Sequence, residues 1–334
     1  MIKKIVAAVM SLTAALSISP LAAAADAACP SRGDLDAIYC DANKDLVADT
    51  PTDPKKLRNP NTIVFTYTPV EDPAVYEKIF QPFTEHLTQC TAKKVVFFQV
   101  QSNAAQIEAM RSGRLHVAGF STGPTAFAVN IAGAVPFAMK GSDKGPRSYN
   151  LIVISRKDNA AIKTLADLKG KKVAHSSPSS NSGHMAPMAL LPKQGITPGK
   201  DYNILFSGKH DQSVMGVNSG DYDAATVASD VFERIARRGT IKEDDFRILY
   251  RSAAFPTSSF AYAHDLEPTL RDKLVGCFLN FNFTPDMVKA FDGDSKFVPA
   301  TYQKDYAIVR DVAEAGGEKF NREAYDREAA KAKK

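Results

Sequence analysis

Blocks of apolar residues alternate with polar stretches along the first part of the chain, at lengths that suit strands and helices. The apolar residues between Tyr76 and Leu87 recur at helical spacing, and a shorter helix is expected over 104–110, before Gly113. Three runs rich in β-branched and aromatic residues indicate strands: 62–67, 94–100 and 115–120. Strands that alternate with helices predict a parallel α/β sheet.

A second series of the same kind begins near Asn150. Its strand-like runs are 149–154, 171–174, 202–206, 224–228 and 246–250. Pro256 then breaks the pattern, after which 260–263 indicates a strand that returns to the first sheet, and 266–279 an amphipathic helix packed on it. The chain therefore crosses between two lobes twice, near Asn150 and near Pro256. The predicted fold is α/β, with two parallel or mixed sheets flanked by helices.

This pattern divides the sequence into four parts. They are a leader (1–25), an N-terminal extension (26–60), a first lobe (61–150 plus 256–334) and a second lobe (151–255). A cleft between two such lobes is the natural place for a ligand.

The first 25 residues have the composition of a secretory signal peptide. A basic start at Met1–Lys4 precedes an apolar stretch from Ile5 to Ile18, and Ala23–Ala25 offers a cleavage site. That stretch is too short for a transmembrane helix, and no later segment approaches the roughly 18 apolar residues that a membrane span needs. The sequence therefore predicts an exported protein.

Four cysteines, an even number, agree with an oxidising compartment. They are Cys29, Cys40, Cys90 and Cys277, and they allow three connectivities. Proximity favours Cys29–Cys40, which leaves Cys90–Cys277 by elimination. None of them has the spacing of a zinc site.

The composition, with 44% hydrophobic and 24% charged residues, is that of a globular protein with a substantial core. The net charge of +5 includes lysines of the leader and of the C-terminal end. No stripe of basic residues with interleaved aromatics is present, which argues against a nucleic-acid partner. Common catalytic motifs such as G-x-S-x-G and H-E-x-x-H are also missing, so we expect a protein without enzymatic activity.

Residues 176–183, Ser-Ser-Pro-Ser-Ser-Asn-Ser-Gly, form the most informative polar stretch. They follow a short predicted strand and precede a helix-compatible segment that starts at His184. Hydroxyls and unpaired backbone N–H groups at such a helix start can hold an oxyanion without a fixed positive charge. The alternative is an ordinary helix cap in a polar turn, for which serine and asparagine are also preferred.

In the N-terminal extension, side chains with oxygen atoms recur at Asp41, Asn43, Asp45 and Asp49. Oxygen ligands in this pattern suit a hard cation such as Ca²⁺, and the Val47 carbonyl is a further candidate ligand. The mid-loop glycine and the distal glutamate of the common calcium loop are absent, although Asp53 is nearby. We therefore weigh a structural calcium site, which would order the extension, against a solvated acidic turn.

Five further segments are distinctive when taken together: 106–118 (QIEAMRSGRLHVA), 165–174 (LADLKGKKVA), 179–183 (SSNSG), 208–211 (GKHD) and 221–225 (DYDAA). With these segments the chain resembles the phosphonate-binding family, the substrate-binding proteins of ABC importers for phosphonate, phosphite and phosphate. The resemblance covers roughly residues 61–281. It implies the two-lobed type II periplasmic binding protein fold, a periplasmic location, a small oxyanion as ligand and an ABC permease as partner. We expect a monomer that needs no cofactor.

The resemblance also implies ligand contacts by eight residues. They are Ser180, Asn181, Ser182, His210, Asp230, Asn103, Phe120 and Ser258. Asn181 stands where relatives commonly have threonine, and Asn103 and Phe120 stand where they often have tyrosine. Ser258 lies in a turn where phosphonate binders carry a second acid, so an aminoalkyl phosphonate would lack a partner here.

Three of these residues have structural alternatives. Asp230 either faces a ligand that carries a proton, since a carboxylate repels a fully ionised anion, or caps the helix predicted over 231–236. His210 either donates to the ligand or is a structural histidine. Phe120 either borders an apolar edge of the ligand or packs in the core.

The sequence thus predicts the periplasmic binding component of an importer, closing by a hinge on phosphite, phosphate or a small phosphonate. One alternative is a sensory protein that reports an oxyanion such as arsenite to a membrane receptor, for which a free thiol would be expected. A second alternative is a hydrolase that uses serine, histidine and aspartate in the cleft.

Overall fold

The structure is a computed structural model, and it describes residues 29–331. Its strands are β1 (Thr62–Tyr67), β2 (Lys94–Phe97), β3 (Val117–Phe120), β4 (Ala134–Ser142), β5 (Gly145–Pro146), β6 (Ser148–Arg156), β7 (Lys172–His175), β8 (Asn203–Phe206), β9 (Ala224–Ala228), β10 (Phe246–Pro256), β11 (Ser259–Ala263) and β12 (Lys296–Pro299). The α-helices are α1 (Pro73–Thr91), α2 (Asn103–Arg111), α3 (Thr122–Ala132), α4 (Ala186–Leu190), α5 (His210–Ser219), α6 (Ser229–Arg237), α7 (Pro268–Leu279), α8 (Pro285–Ala290), α9 (Tyr302–Asp305), α10 (Ala307–Ala315) and α11 (Arg322–Lys331).

The strands form two mixed sheets flanked by helices. The first has the order β12-β4-β11-β3-β1-β2, with β5 beside β4, and the second has the order β10-β6-β9-β7-β8. Parallel pairs join β1 to β2 and β3, and β7 to β8 and β9, whereas β11, β6 and β10 pair antiparallel to their neighbours. We call the first sheet with its helices lobe 1 and the second lobe 2. The chain crosses between them at 146–148 and at 256–259.

Aromatic packing forms the core of lobe 1. The ring of Phe65 on β1 contacts the rings of Phe80 and Phe83 on α1, with centroids 5.3 and 5.6 Å apart, and those of Phe260 and Phe278. These contacts explain the helical spacing of apolar residues in the sequence, because one face of α1 covers the sheet.

Two disulfides link separate parts of the chain, and their pairing is the one that the sequence favoured. Cys90–Cys277 joins α1 to α7 on the aromatic core, and Cys29–Cys40 closes a loop in the N-terminal extension. The extension packs on lobe 1 through Tyr39, whose ring meets His264 edge-on at 4.9 Å. Among the described residues, no helix is both long and apolar enough to cross a membrane.

Several predicted boundaries were wrong, and burial explains the largest omission. The sequence did not reveal α3, because all of its residues are buried and it therefore has no polar face to produce a helical period. It also did not reveal β4, which follows α3 after only one residue, Gly133. The strand at 246–250 continues to Pro256, since β10 is the edge strand of its sheet and an edge tolerates a terminal proline.

In the acidic loop, the side-chain oxygens accept hydrogen bonds from the loop's own backbone. Asp41 accepts from the N–H groups of Asp45 (2.9 Å) and Leu46 (3.1 Å), and Asp49 accepts from the N–H of Ala42 (2.8 Å). Within residues 29–331, no three His, Cys, Asp or Glu side chains are grouped as a metal site would need. The calcium site at Asp41, Asn43, Asp45 and Asp49 stays a prediction of the sequence. The predicted leader lies outside the described residues.

Candidate functional site

A small polar cavity lies between the two lobes, where the strands of both sheets end. Its volume is about 40 Å³. Since one buried water needs roughly 10–15 Å³ of such space, the cavity has room for a few waters or one small tetrahedral anion. Lobe 1 contributes Tyr67, Val70, Ser121 and Thr122; lobe 2 contributes Tyr149, Ser180, Asn181, Ser182, His210, Ala228, Asp230, Val231 and Arg234; and the crossing contributes Thr257 and Ser258.

The serine loop, residues 176–183, begins directly after β7 and enters a π-helical turn over Asn181–Met185. Gly183 is required in this turn, because a Cβ there would lie 1.8 Å from Ser176 Oγ and 2.7 Å from Ser180 Oγ. Ser180 is the N-cap, and its Oγ accepts from the Gly183 N–H at 3.1 Å. The loop is therefore a helix cap whose hydroxyl also faces the cavity, so the two alternatives from the sequence coexist.

His210 determines which way the Ser180 hydroxyl hydrogen points. The backbone N–H of Ala228 donates to His210 Nδ1 (3.4 Å), so the ring proton resides on Nε2, which donates to Ser180 Oγ (3.3 Å). The N–H of Gly183 already donates to the same oxygen. With both lone pairs of its oxygen occupied, Ser180 is left to donate its own hydrogen into the cavity.

Burial keeps His210 neutral. Desolvation, opposed by the charges of Asp230 and Glu71, lowers the pKa of His210 to about 4. A neutral imidazole is the form in which Nδ1 can accept a hydrogen bond, so the pKa agrees with the hydrogen-bond pattern.

Because the pKa of His210 is lowered in the folded protein, the free energy of unfolding should decrease at acidic pH. Below pH 6.5 the unfolded chain protonates His210 whereas the folded protein does not, so stability falls by about 1.4 kcal/mol per pH unit from 6.5 down towards the folded value of about 4. Above pH 6.5 the residue adds no pH dependence. Urea unfolding of the parent and of His210→Gln at pH 7.5, 6.5 and 5.5 should show a shallower decline in the variant. Equal slopes would contradict the assignment.

Helix starts surround the cavity and favour an anion. Ser121 precedes α3 without a side-chain cap, His210 begins α5, and Ala228 precedes α6. The N-terminal end of each helix carries partial positive charge and N–H groups that have no partner within the helix. The cavity can therefore attract an oxyanion although its one lining guanidinium is paired.

That guanidinium belongs to Arg234, and carboxylates surround it. Its Nε donates to Glu71 (2.7 Å), and its Nη1 lies 3.6 Å from Asp230 and 3.8 Å from Asp292. Asp230 sits in the first turn of α6, whose N-cap is Ala228, so the capping alternative for Asp230 was wrong. The Asp230 carboxylate instead borders the cavity as an acceptor.

Lobe 1 and the crossing carry further hydroxyls. Tyr67 Oη donates to Ser258 Oγ at 3.2 Å. Thr257 is buried, and its Oγ1 has no hydrogen-bond partner among the described residues. A buried hydroxyl without a partner costs free energy, so Thr257 is a natural contact for a polar ligand.

Six of the eight residues named from the sequence line this cavity, and two do not. The six are Ser180, Asn181, Ser182, His210, Asp230 and Ser258. Asn103 instead holds the serine loop from lobe 1, since its Nδ2 donates to Ser177 Oγ (3.3 Å) and Ser179 Oγ (3.4 Å). Phe120 is fully buried and packs in the core, which was the structural alternative.

Other lining residues were missed by the sequence analysis. Tyr67 ends β1, and Ser121 and Thr122 follow β3 directly. Ligands in open α/β sheets bind outside the carboxyl ends of the strands, so polar residues at these strand ends were a usable signal. Tyr149, whose hydroxyl accepts from Asn181 Nδ2 at 3.1 Å, starts the crossing strand β6 and carried no such signal.

Comparison with protein families gives one match that covers most of the chain. Residues 65–306 match the family described as "ABC transporter, phosphonate, periplasmic substrate-binding protein". The phosphate-import protein PhnD of Mycolicibacterium smegmatis is 29% identical over 231 residues, which cover 66% of this chain and 71% of that protein. The phosphonates-binding periplasmic protein of Escherichia coli is 22% identical over 209 residues, or 61% of this chain and 62% of that protein.

Solved structures show the same fold. A binding protein component of an ABC phosphonate transporter from Pseudomonas aeruginosa superposes with a TM-score of 0.69 at 21% identity, covering 77% of this chain and 86% of that one. PhnD1 from Prochlorococcus marinus, in complex with methylphosphonate, gives a TM-score of 0.68 at 19% identity, covering 78% of this chain and all of that one.

Proposed function

The chain belongs to the phosphonate-binding family of periplasmic substrate-binding proteins of ABC transporters, and we propose that its ligand is a small, protonated oxyanion of phosphorus. The observation that carries this proposal is the cavity of about 40 Å³ with hydroxyl donors on both sides and one carboxylate acceptor. Phosphite, phosphate and methylphosphonate match its size, whereas 2-aminoethylphosphonate adds an aminoethyl group for which the cavity has neither room nor a free acid.

Asp230 supplies the proposed selectivity. An ionised carboxylate can only accept hydrogen bonds, so a bound anion beside it must carry a proton to donate. Phosphate keeps such a proton near neutral pH, phosphite carries one on oxygen in its monoanion, and sulfate carries none. We therefore propose that the site rejects sulfate by leaving Asp230 without a donor.

Relatives support a phosphorus ligand without fixing which one. Their names refer to phosphate import, to phosphonate binding and, for a Prochlorococcus marinus protein that is 24% identical over 215 residues, to probable phosphite binding. We propose that this chain, as a monomer, closes its lobes on the oxyanion and presents the closed form to an ABC permease in the periplasm.

The disulfides and the hydrogen bonds of His210 disfavour both alternatives from the sequence. All four cysteines form disulfides, so no thiol is available for arsenite. A hydrolase would need His210 to accept the proton of Ser180, but the His210 Nε2 donates to Ser180 instead. We also propose, independently of this site, that the acidic loop of the N-terminal extension binds a structural Ca²⁺ ion.

Isothermal titration calorimetry tests the proposed ligand class. We expect phosphite, phosphate and methylphosphonate to bind, 2-aminoethylphosphonate to bind more weakly, and sulfate to bind at least about 1,000-fold more weakly than phosphate. Sulfate binding as tightly as phosphate would remove the role given to Asp230.

Ser180→Ala combined with Ser182→Ala tests the site itself. The loss of two hydrogen bonds to a charged ligand should weaken binding by about 100-fold. A matched control is Ser112→Ala combined with Ser219→Ala, because both of these serines are exposed and lie outside the cavity. Unchanged affinity in the first double variant would place the ligand elsewhere.

A further inference from the structure

Lys140 is a buried positive charge that contacts Tyr67, one of the residues that line the cavity. It lies on β4 with 6% of its surface exposed. Its ammonium donates to the hydroxyl of Tyr67 at 2.5 Å, and lies 5.0 Å from the centroid of the Tyr67 ring and 4.8 Å from that of Phe291. Burial of an ammonium is costly unless an anion compensates for it, and these three contacts are with neutral groups.

Nearby carboxylates do not supply that anion directly. Asp292 is bound by Arg147 and Arg237. Asp294 is buried, and desolvation raises its pKa while the charges of Lys140 and Arg147 lower it. Neither a hydrogen bond nor an ion pair joins Asp294 to Lys140 in the described part of the chain. Asp294 therefore acts on the ammonium through its electrostatic field without a direct contact, while the ammonium directs its hydrogen bond to Tyr67, which lines the cavity.

The contact with Tyr67 fixes the direction of a hydrogen-bond chain. An ammonium can only donate, so the Tyr67 oxygen accepts from Lys140 and its own hydrogen must point away. In that direction lies Ser258 Oγ, 3.2 Å away, and both Tyr67 and Ser258 line the cavity. If Tyr67 donates to Ser258, the Ser258 hydrogen is free to point at a ligand. Lys140 thus turns both hydroxyls into donors on the lobe 1 side, as His210 does for Ser180 in lobe 2.

From this geometry we propose that Lys140 is a positioning residue of the oxyanion site, which acts through Tyr67 and compensates the charge of the bound anion. The inference rests on the proposed function, since it assigns a role within that same cavity. Lys140 would thus be a buried cation that supports recognition of the anion from outside the cavity lining, in addition to the paired Arg234 within it. Burial of the Lys140 ammonium costs free energy in the ligand-free protein, and the negative charge of the bound anion would offset part of that cost.

Lys140→Met tests the proposal, because methionine keeps the length and apolar body of lysine without its charge. We expect the affinity for inorganic phosphate, measured by calorimetry, to fall about 10- to 100-fold. The ligand-free variant should melt at the same temperature as the parent or higher, since a buried ammonium that has no direct contact with a carboxylate has been removed. A purely structural lysine would instead give a lower melting temperature. Lys140→Arg should restore part of the affinity.

Lys296→Met is the matched control. Lys296 pairs through its backbone with Gly141, the neighbour of Lys140, but its side chain reaches the surface and pairs with Asp143 at 2.5 Å. The Lys296→Met variant loses the same charge from the adjacent strand, and we expect it to bind phosphate with the affinity of the parent.

Tyr67→Phe removes the hydroxyl through which Lys140 is proposed to act but keeps the charge of Lys140. It also tests the proposal if the Lys140→Met protein does not fold. It should also weaken phosphate binding, and the double variant should bind no more weakly than Lys140→Met alone, because Lys140 acts through Tyr67. Parent-like affinity in Lys140→Met or in Tyr67→Phe, or additive losses in the double variant, would overturn the inference. Absence of phosphate, phosphite and methylphosphonate binding in the parent would instead overturn the proposed function.

Discussion

Gly123→Ala is expected to weaken oxyanion binding by about 100-fold while both lobes stay folded. Gly123 is the second residue of α3 in lobe 1. A Cβ at this position would lie 2.2 Å from the backbone oxygen of Ser179 and 2.8 Å from the backbone nitrogen of Asn181, both in the serine loop of lobe 2. Backbone atoms on both sides cannot move aside as a flexible side chain would. The added methyl group therefore opposes the approach of the lobes.

Within lobe 1 the same substitution should not reduce the stability of the fold. The expected loss of affinity would therefore come from the contact between the lobes. Alanine is a better helix former than glycine, so α3 itself should not be destabilised. Because the ligand contacts come from both lobes, a protein that cannot close loses the contacts of one lobe, and its apparent affinity falls with the population of the closed form.

Calorimetry with phosphate and small-angle scattering with and without phosphate would measure this effect. The variant should keep the ligand-free radius of gyration at phosphate concentrations that compact the parent. Gly276→Ala on α7 is the control, since a Cβ there meets no atom within 4 Å, and it should bind as the parent does. Parent-like affinity in Gly123→Ala would show that the tight contact with the serine loop is not needed for binding.

The sequence predicted the two sheets well because their strands are short, β-branched and separated by amphipathic helices such as α1. It failed for α3 and β4, where complete burial removes the polar face on which periodicity depends. Because β4 was not predicted, the sequence did not indicate that Lys140 lies on a strand and is buried. Lysine is ordinarily expected at the surface. The donor chain from Lys140 to Tyr67 was therefore beyond the sequence.

The site was predicted where its residues are close in sequence and of distinctive type. The serine loop is one continuous polar run, and His210 follows it in one of the segments on which the resemblance to the family rests. Contacts between lobes join residues far apart in the chain, as Glu71 and Arg234 do across 163 positions. A single sequence has no local pattern that pairs such residues, so the ionic contacts between the lobes became visible only in the structure.

Those ionic contacts give the second large expected effect, for Glu71→Gln. Glu71 precedes α1 in lobe 1, has 2% of its surface exposed, and accepts from Arg234 Nε (2.7 Å), from Arg238 and from Tyr76 Oη (2.9 Å). Both arginines belong to lobe 2. Removal of one partner from a buried ion pair typically costs about 3–5 kcal/mol. Since the lost contacts cross between the lobes, we expect most of this cost to destabilise the closed form.

The expected result is a fall of about 100-fold in phosphate affinity, with a smaller loss of thermal stability, because an open protein can hydrate Arg234 again. Burial alone would raise the pKa of Glu71, but the guanidiniums of Arg234 and Arg238 lower it below its ordinary value of 4.5. The contribution of Glu71 is therefore complete above that value and is lost only as the pH falls below it. The affinity ratio of parent to variant should be the same at pH 6 and pH 8.

Asp158→Asn is the matched control, since it neutralises the exposed carboxylate that pairs with Arg156 in lobe 2, far from the crossing. Exposed pairs contribute little, so this variant should bind phosphate as the parent does. If the Glu71→Gln protein binds phosphate normally but melts at a much lower temperature, these ion pairs stabilise the open and the closed form alike. Reduced affinity at an almost unchanged melting temperature would identify them as the contacts that hold the lobes together around the anion.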